Sequence, residues 1–230
     1  MFAESHLEVV ARQAMAALDP TLEDEFVTLI AFLEENPELA RVRRGRNAPQ
    51  LGSEAHVLLE AHRFSASRNL RNPSVPATVP DVAVSKVLEA YYGVQNSELD
   101  RIKIEHQLSM AAEGFVGDLL ERYIAANVRD HGWIWCSGEA VRHVDFVRRG
   151  STTAMPWETL QVKNRDNSEN SSSSAIRAGT PIQKWHRSKS RTGETCWDEF
   201  PAATSNPLTE DGFLIFIDDY FGQLRYSPAR

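Results

Sequence analysis

Apolar residues recur every three or four positions from residue 4 to about 64, and the stretch TLEDEFVTLIAFLEE puts Phe26, Leu29, Ile30 and Leu33 on one helical face. Asp19 and Pro20 supply its cap and first-turn residue, and Asn36-Pro37 close it. Pro73, Pro76 and Pro80 make 69–80 an extended connection, after which VAVSKVLEAYYG and a segment from about Glu98 to Val128 return to helical spacing. Beyond Val128 the period shortens. GWIWCSG, VRHVDFV, WETLQVKN and the late DGFLIFIDDYFG read as strands, the last with Asp218 and Asp219 capping or turning the chain. Helices therefore precede a mixed sheet, an α/β (α+β) arrangement. A helical region over 1–110 and a sheet-bearing core over 111–230, within one compact unit, are expected.

Two of these strands carry charge where an apolar residue is the rule. Asp145 stands between Val144, Phe146 and Val147, and Lys163 ends the run in which Leu160 and Val162 flank Gln161. A turn through Gly150 to Pro156 joins the two strands. A buried, unpaired carboxylate is costly, so Asp145 calls for an ion-pair partner such as Lys163, a strand end at the surface, or a bound cation. The preceding helix segment GDLLERYIAA adds Glu121, 24 residues before Asp145 and four after Gly117, whose size would let the helix pack tightly on the sheet.

Composition narrows the classes. At 42% hydrophobic, 230 residues suffice for one sizeable core with an appended subdomain. Cys136 and Cys196 lack the spacing of a zinc ribbon or disulfide framework, and His143 and His186 have no zinc-spaced companion, so both histidines read as structural. No signal peptide and no membrane-length apolar run are evident, which fits a reducing cytoplasm. Net charge is −7, yet residues 142–191 hold ten bases against four acids. That asymmetry suits either local binding of a polyanion or a solvated basic face. Trp133 and Trp135 share one strand face and read as core, whereas Trp185 and Trp197 either support the basic segment or stack near a ligand.

The order Glu121, Asp145, then Gln161-Val162-Lys163 resembles the PD-(D/E)XK nucleases, in which a helix glutamate packs beside a hairpin carrying an aspartate and then an acid-X-lysine triplet. Gln161 departs from that pattern by replacing the acid. The resemblance implies a Mg²⁺ site with Asp145 as main ligand, completed by the Gln161 amide oxygen, the Val162 carbonyl and water, with Lys163 orienting or deprotonating the attacking water. Loss of the acid would leave a single metal or move a ligand to Glu121 or Glu169.

The segment after Lys163 carries a narrower resemblance. Gln161 to Asn164, Asn167 to Ser173, Ile176 to Thr180 and Lys184 to Arg187 follow the Q-x-K-N, N-S-E-N-S-S-S, I-R-x-G-T and K-W-x-R elements of the restriction enzymes of the SinI and AvaII group. Membership would imply a type II endonuclease cutting double-stranded DNA at GGWCC, with residues 164–197 as the recognition segment. Arg177, Lys184 and Arg187 would then contact guanine, Glu169 and Asn170 would read cytosine or help hold metal, and Asn167, Ser168 and Ser171 would join the DNA surface. The serines 171–174 alternatively cap a helix beginning near Ala175. A palindromic target implies a homodimer, and a restriction enzyme implies a separate DNA methyltransferase protecting the host. Without the narrower resemblance, the same residues suit a structure-selective repair or recombination nuclease, or a DNA-binding regulator without turnover. The helices of residues 1–110 would serve dimerisation or clasp the DNA.

Overall fold

The computed structural model describes residues 4–75, 77, 81–166 and 182–226. Helix α1 (His6–Leu18) opens with a capping box in which Ser5 and Glu8 satisfy each other's main-chain N–H groups. Asp19 caps a short 3-10 turn at Pro20–Leu22, which leads into α2 (Glu23–Glu35), and α2 stops before Pro37 as expected. Helices α3 (Glu54–Ala66), α4 (Val82–Ala90) and the long α5 (Asn96–Val128) follow. Strands β1 (Ile134–Trp135), β2 (Phe146–Thr152), β3 (Met155–Arg165) and β4 (Gln183–Ser188) form one sheet in that order. The first three are antiparallel and β4 runs parallel to β3, so the sheet is mixed. Among the described residues, no helix is long and apolar enough to cross a membrane.

The pleat divides the core in two. Val147, Ile134 and Trp157 face Met15, Phe26, Phe32 and Phe64 of α1–α3. Phe146, Leu160 and Val162 face Leu119, Leu120 and Ile124 of α5, together with Trp133, Trp135, Trp185 and Trp197. The sheet is thus the middle layer between two helical layers, and each fully buried large side chain contributes about 1.5–3 kcal/mol to holding them together. All five tryptophans are buried, and Cys136 and Cys196 are buried and unbridged.

Three expectations change. Residues Phe213 to Ile217 are not a strand: they belong to α6 (Glu210–Tyr226), and Asp218 and Asp219 lie inside that helix. Phe213, Phe216, Ile217, Tyr220 and Leu224 follow helical spacing against α5 and Trp197, whereas Leu214 and Ile215 remain exposed. A short continuous apolar run suits either element, and packing partners decided it. The hairpin turn is also tighter than expected, because β2 and β3 continue to Thr152 and Met155. Gly150 lies within β2 at the register shift, where a Cβ would meet the Met155 carbonyl oxygen at 1.9 Å. Gly117 presses on nothing, since no atom lies within 4 Å of where its Cβ would be.

Two enclosed arginines, Arg122 buried and Arg68 half-buried, lock the layers in register. Arg122 of α5 donates to the carbonyls of Ser67, Arg68 and Asn69 at 2.6, 2.9 and 3.2 Å, satisfying the frayed end of α3. Arg68 in turn reaches Glu25 at 2.8 Å and the Trp135 carbonyl at 3.1 Å. Gly138, at φ +83°, brings the chain after β1 so close to α3 that a Cβ would stand 2.8 Å from the Arg63 carbonyl carbon and the Phe64 nitrogen. Gly138→Ala should therefore lower the unfolding free energy by well over about 1 kcal/mol. Gly193→Ala, at φ +74° with open space around it, should cost less. Denaturant midpoints of the two variants check the difference.

Candidate active site

Asp145 stands on a bend immediately before β2, not within the strand. Main chain fixes it from both sides: its N–H donates to the Leu160 carbonyl at 2.9 Å, and its carbonyl accepts from Cys136 at 2.8 Å. Its carboxylate Oδ2 accepts the Val162 N–H at 2.7 Å, so a side chain closes the ladder where β2 gives out. Such a carboxylate has little rotational freedom. Its neighbours Val144 and Phe146 are buried, as are Leu160 and Val162 across the hairpin.

Glu121 reaches the same place from α5. One of its oxygens accepts the Trp135 indole N–H at 2.8 Å. Glu121 and Asp145 line a single cleft of about 820 Å³. Gly114 and Gly117 line it too, and their missing side chains keep the helix side of the cleft open. The far walls come from the N-terminal layer: Arg41, Arg63 and Arg71 all border the cleft. Arg71 pairs with Asp118 at 2.9 Å, and Arg122 holds the same carboxylate at 2.8 Å, yet the charge of this acid one turn before Glu121 still adds to the rise in the Glu121 pKa.

Electrostatics distinguish this pair from ordinary surface acids. Burial pushes the Glu121 carboxyl up to about 8, Asp145's charge adds to the rise, and the Trp135 indole and Lys163 oppose it. Burial also raises Asp145, to about 6, against the Val162 N–H and the Lys163 ammonium. Lys163 is itself exposed on β3 but acts on both acids. Gln161 is 3% exposed, enclosed in the strand two residues before it. Two desolvated carboxyls beside one lysine leave the site short of positive charge, and with the oxygen donors nearby they fit a hard divalent cation.

The remaining expected residues are dispersed. Lys184 is exposed on β4 beside Gln161, and Arg187 is half-buried. Arg187 donates to Asn164 at 2.9 Å, pairs with Glu210 and lies over the Phe213 ring, so a guanine contact would require that ion pair to open. Asn167, Ser168, Glu169, Asn170, Ser171 and Arg177 lie outside the described residues, as do the serine run and the helix expected near Ala175. Within the basic segment, Arg148 pairs with Glu158, Arg149 with Glu35 and Lys189 with Glu194, so part of its excess charge is neutralised locally. Trp185 packs 5.2 Å from Trp197 and donates to the Cys196 carbonyl, a supporting role. Sequence reasoning missed Trp135 as the donor that aims Glu121 and the arginines of the far wall. Only the RVRRGR run at residues 41–46 offered a local signal for the latter.

A family model described as SinI restriction endonuclease matches residues 7–223. The type II restriction enzyme Eco47I of Escherichia coli is 46% identical over 215 residues, 93% of each chain. The type II restriction enzyme SinI of Salmonella infantis is 42% identical over 227 residues, 98% of each chain.

Both carboxyls titrate above their unfolded values, so from about pH 4 to about pH 8 the folded chain retains protons that the unfolded chain releases. Their contribution to stability therefore falls as pH rises through that window and levels off above it. Melting temperatures measured from pH 5 to pH 8 should decline more steeply in the metal-free wild type than in Glu121→Gln or Asp145→Asn. Parallel curves would contradict the assignment.

Proposed function

The chain belongs to the SinI restriction endonuclease family of site-specific deoxyribonucleases, and we propose that it cuts duplex DNA at GGWCC with Mg²⁺ as its cation. The observation carrying the chemistry is the convergence of two half-buried, desolvated carboxyls, Glu121 and Asp145, on one cleft within the field of Lys163. A bound Mg²⁺ supplies charge neutralisation at the scissile phosphate and at the leaving oxygen. Asp145 is its principal ligand, held by the Val162 N–H, and Glu121, aimed by Trp135, is the second acid. The Gln161 amide oxygen and the Val162 carbonyl are further hard donors beside it. Lys163 orients the attacking water, or takes its proton, at Nζ. The site preference rests on the group's motifs from Gln161 to Arg187, with Arg177 and Lys184 as guanine donors and Arg187 joining them only if its pair with Glu210 opens. Glu169 and Asn170 read cytosine or assist the metal, and Asn167, Ser168 and Ser171 contribute to the DNA surface. This enzyme works in the cytoplasm beside a separate DNA methyltransferase.

A two-fold target needs two copies of the chain. The surface best suited to join them is the α4–α5 hairpin. Val82 and Tyr91 are each 80% exposed, with Val84, Val87, Ile104 and Leu108 also open to solvent. In α5 only Leu99 is buried before Phe115. An exposed apolar face of this kind fits a second copy. Wild-type protein should sediment as a dimer, and Val84→Glu/Val87→Glu as a monomer. A monomeric wild type, or a dimeric variant, would remove this face from the assembly.

For the reaction, phage DNA of known sequence is incubated with Mg²⁺ or EDTA and the fragment ends are sequenced. Cuts confined to GGWCC and abolished by EDTA are expected. Asp145→Asn should retain binding and lose cleavage, and Lys163→Ala should slow cleavage by about 10²–10⁴-fold. Site-independent nicking would instead indicate a repair nuclease, and site-specific binding without cutting a regulator.

A further inference from the structure

The sequence RVRRGR places Arg41, Arg43, Arg44 and Arg46 on the long connection between α2 and α3. The structure mounts this loop on the segment that leads into Asp145. Arg41 N–H donates to the Ala140 carbonyl at 2.8 Å, and Arg142 N–H donates to the Leu39 carbonyl at 2.7 Å, with Ala40 and Val141 bridged between them. Arg43 anchors the loop from below: it meets the fully buried Glu60 with two hydrogen bonds of 2.8 Å and the Gly138 carbonyl at 3.1 Å. Arg41 is drawn to Glu139 at 3.0 Å. With Arg43 and Arg41 so engaged, Arg44, Arg46 and Arg142 are exposed to solvent.

Of these, Arg44 and Arg142 border a groove of about 880 Å³, which Arg41, Arg43 and His143 also line. Arg41 and Val141 line both this groove and the cleft holding Glu121 and Asp145, so the two adjoin. Arginine forks match phosphate oxygens, and a basic wall on a chain of net charge −7 is a local feature against an acidic body. We propose that the loop at residues 41–46 and Arg142 form a phosphate-binding wall that carries the DNA backbone from the groove into the catalytic cleft. The proposal rests on the duplex-cleavage reading and gives the N-terminal layer a part in binding substrate. Its contacts are to phosphates and are therefore blind to base sequence.

The test is fluorescence anisotropy in EDTA over a salt series. The probes are a duplex containing GGWCC and one with the site scrambled. Arg44→Ala/Arg142→Ala should weaken binding to both duplexes by the same factor and flatten the dependence of log affinity on log salt by about one unit per arginine. The Arg44→Lys/Arg142→Lys counterpart should restore the slope, and equal melting temperatures establish that the fold is kept. A slope unchanged from wild type, or a loss confined to the GGWCC duplex, would overturn the wall while leaving the nuclease reading intact. A wild type that neither binds nor cuts any duplex would overturn both.

Discussion

Two carboxyl groups share one desolvated cleft, and they can carry full charge at neutral pH only when positive charge is brought to them. Glu121 and Asp145 are each raised by burial, to about 8 and about 6, although an indole N–H, a main-chain N–H and a lysine work against the rise. Ionising these groups costs the folded chain stability. The surrounding structure is what enforces this arrangement. Asp145 is gripped at its N–H, its carbonyl and its carboxylate by Leu160, Cys136 and Val162, and Glu121 is aimed by Trp135. Strain of this electrostatic kind would be relieved by a cation bound between the two groups.

The three-layer architecture explains how the acids meet. Glu121 comes from the helix layer on one face of the sheet, and Asp145 from the bend that feeds β2. The layer on the opposite face supplies the far wall through Arg41, Arg63 and the close approach of Gly138 to α3. Arg68 and Arg122 fix that layer against β1 and α5, so movement of α3 would change the width of the cleft. The N-terminal helices are consequently part of the site they enclose. The paired acids, the cleft walls and the basic groove depend on the same few cross-layer hydrogen bonds.

Much of this was legible in the chain because the governing patterns are local. The face of Phe26, Leu29, Ile30 and Leu33, the stops at Asn36-Pro37, and an aspartate flanked by valine and phenylalanine each follow from spacing or burial cost within a few residues. The failures came where distant packing decides. Phe213 to Ile217 is apolar enough for either element, and its contacts with α5 and Trp197 made it helical. Gly117 reads as a packing residue only if something lies opposite, and the structure puts an open cleft there. The turn shrank to two residues because Gly150 admits the Met155 carbonyl into a bulged ladder. Arg187 has the look of a base-reading residue, and its ion pair with Glu210, 23 positions away, is not visible in its spacing. The arginines at 41–46 were visible as a run, but their place beside Asp145 depends on the bridge between Ala40 and Val141.

The most direct test of the acid pair is calorimetric titration of Mg²⁺ into the DNA-free protein at pH 7, repeated in buffers of different ionisation enthalpy. Glu121 is largely protonated at that pH and Asp145 largely ionised, so binding should release about one proton per chain. Glu121→Gln should release close to none. Mg²⁺ binding without proton release in the wild type, or an undiminished release in Glu121→Gln, would contradict a cation site built on these two carboxyls.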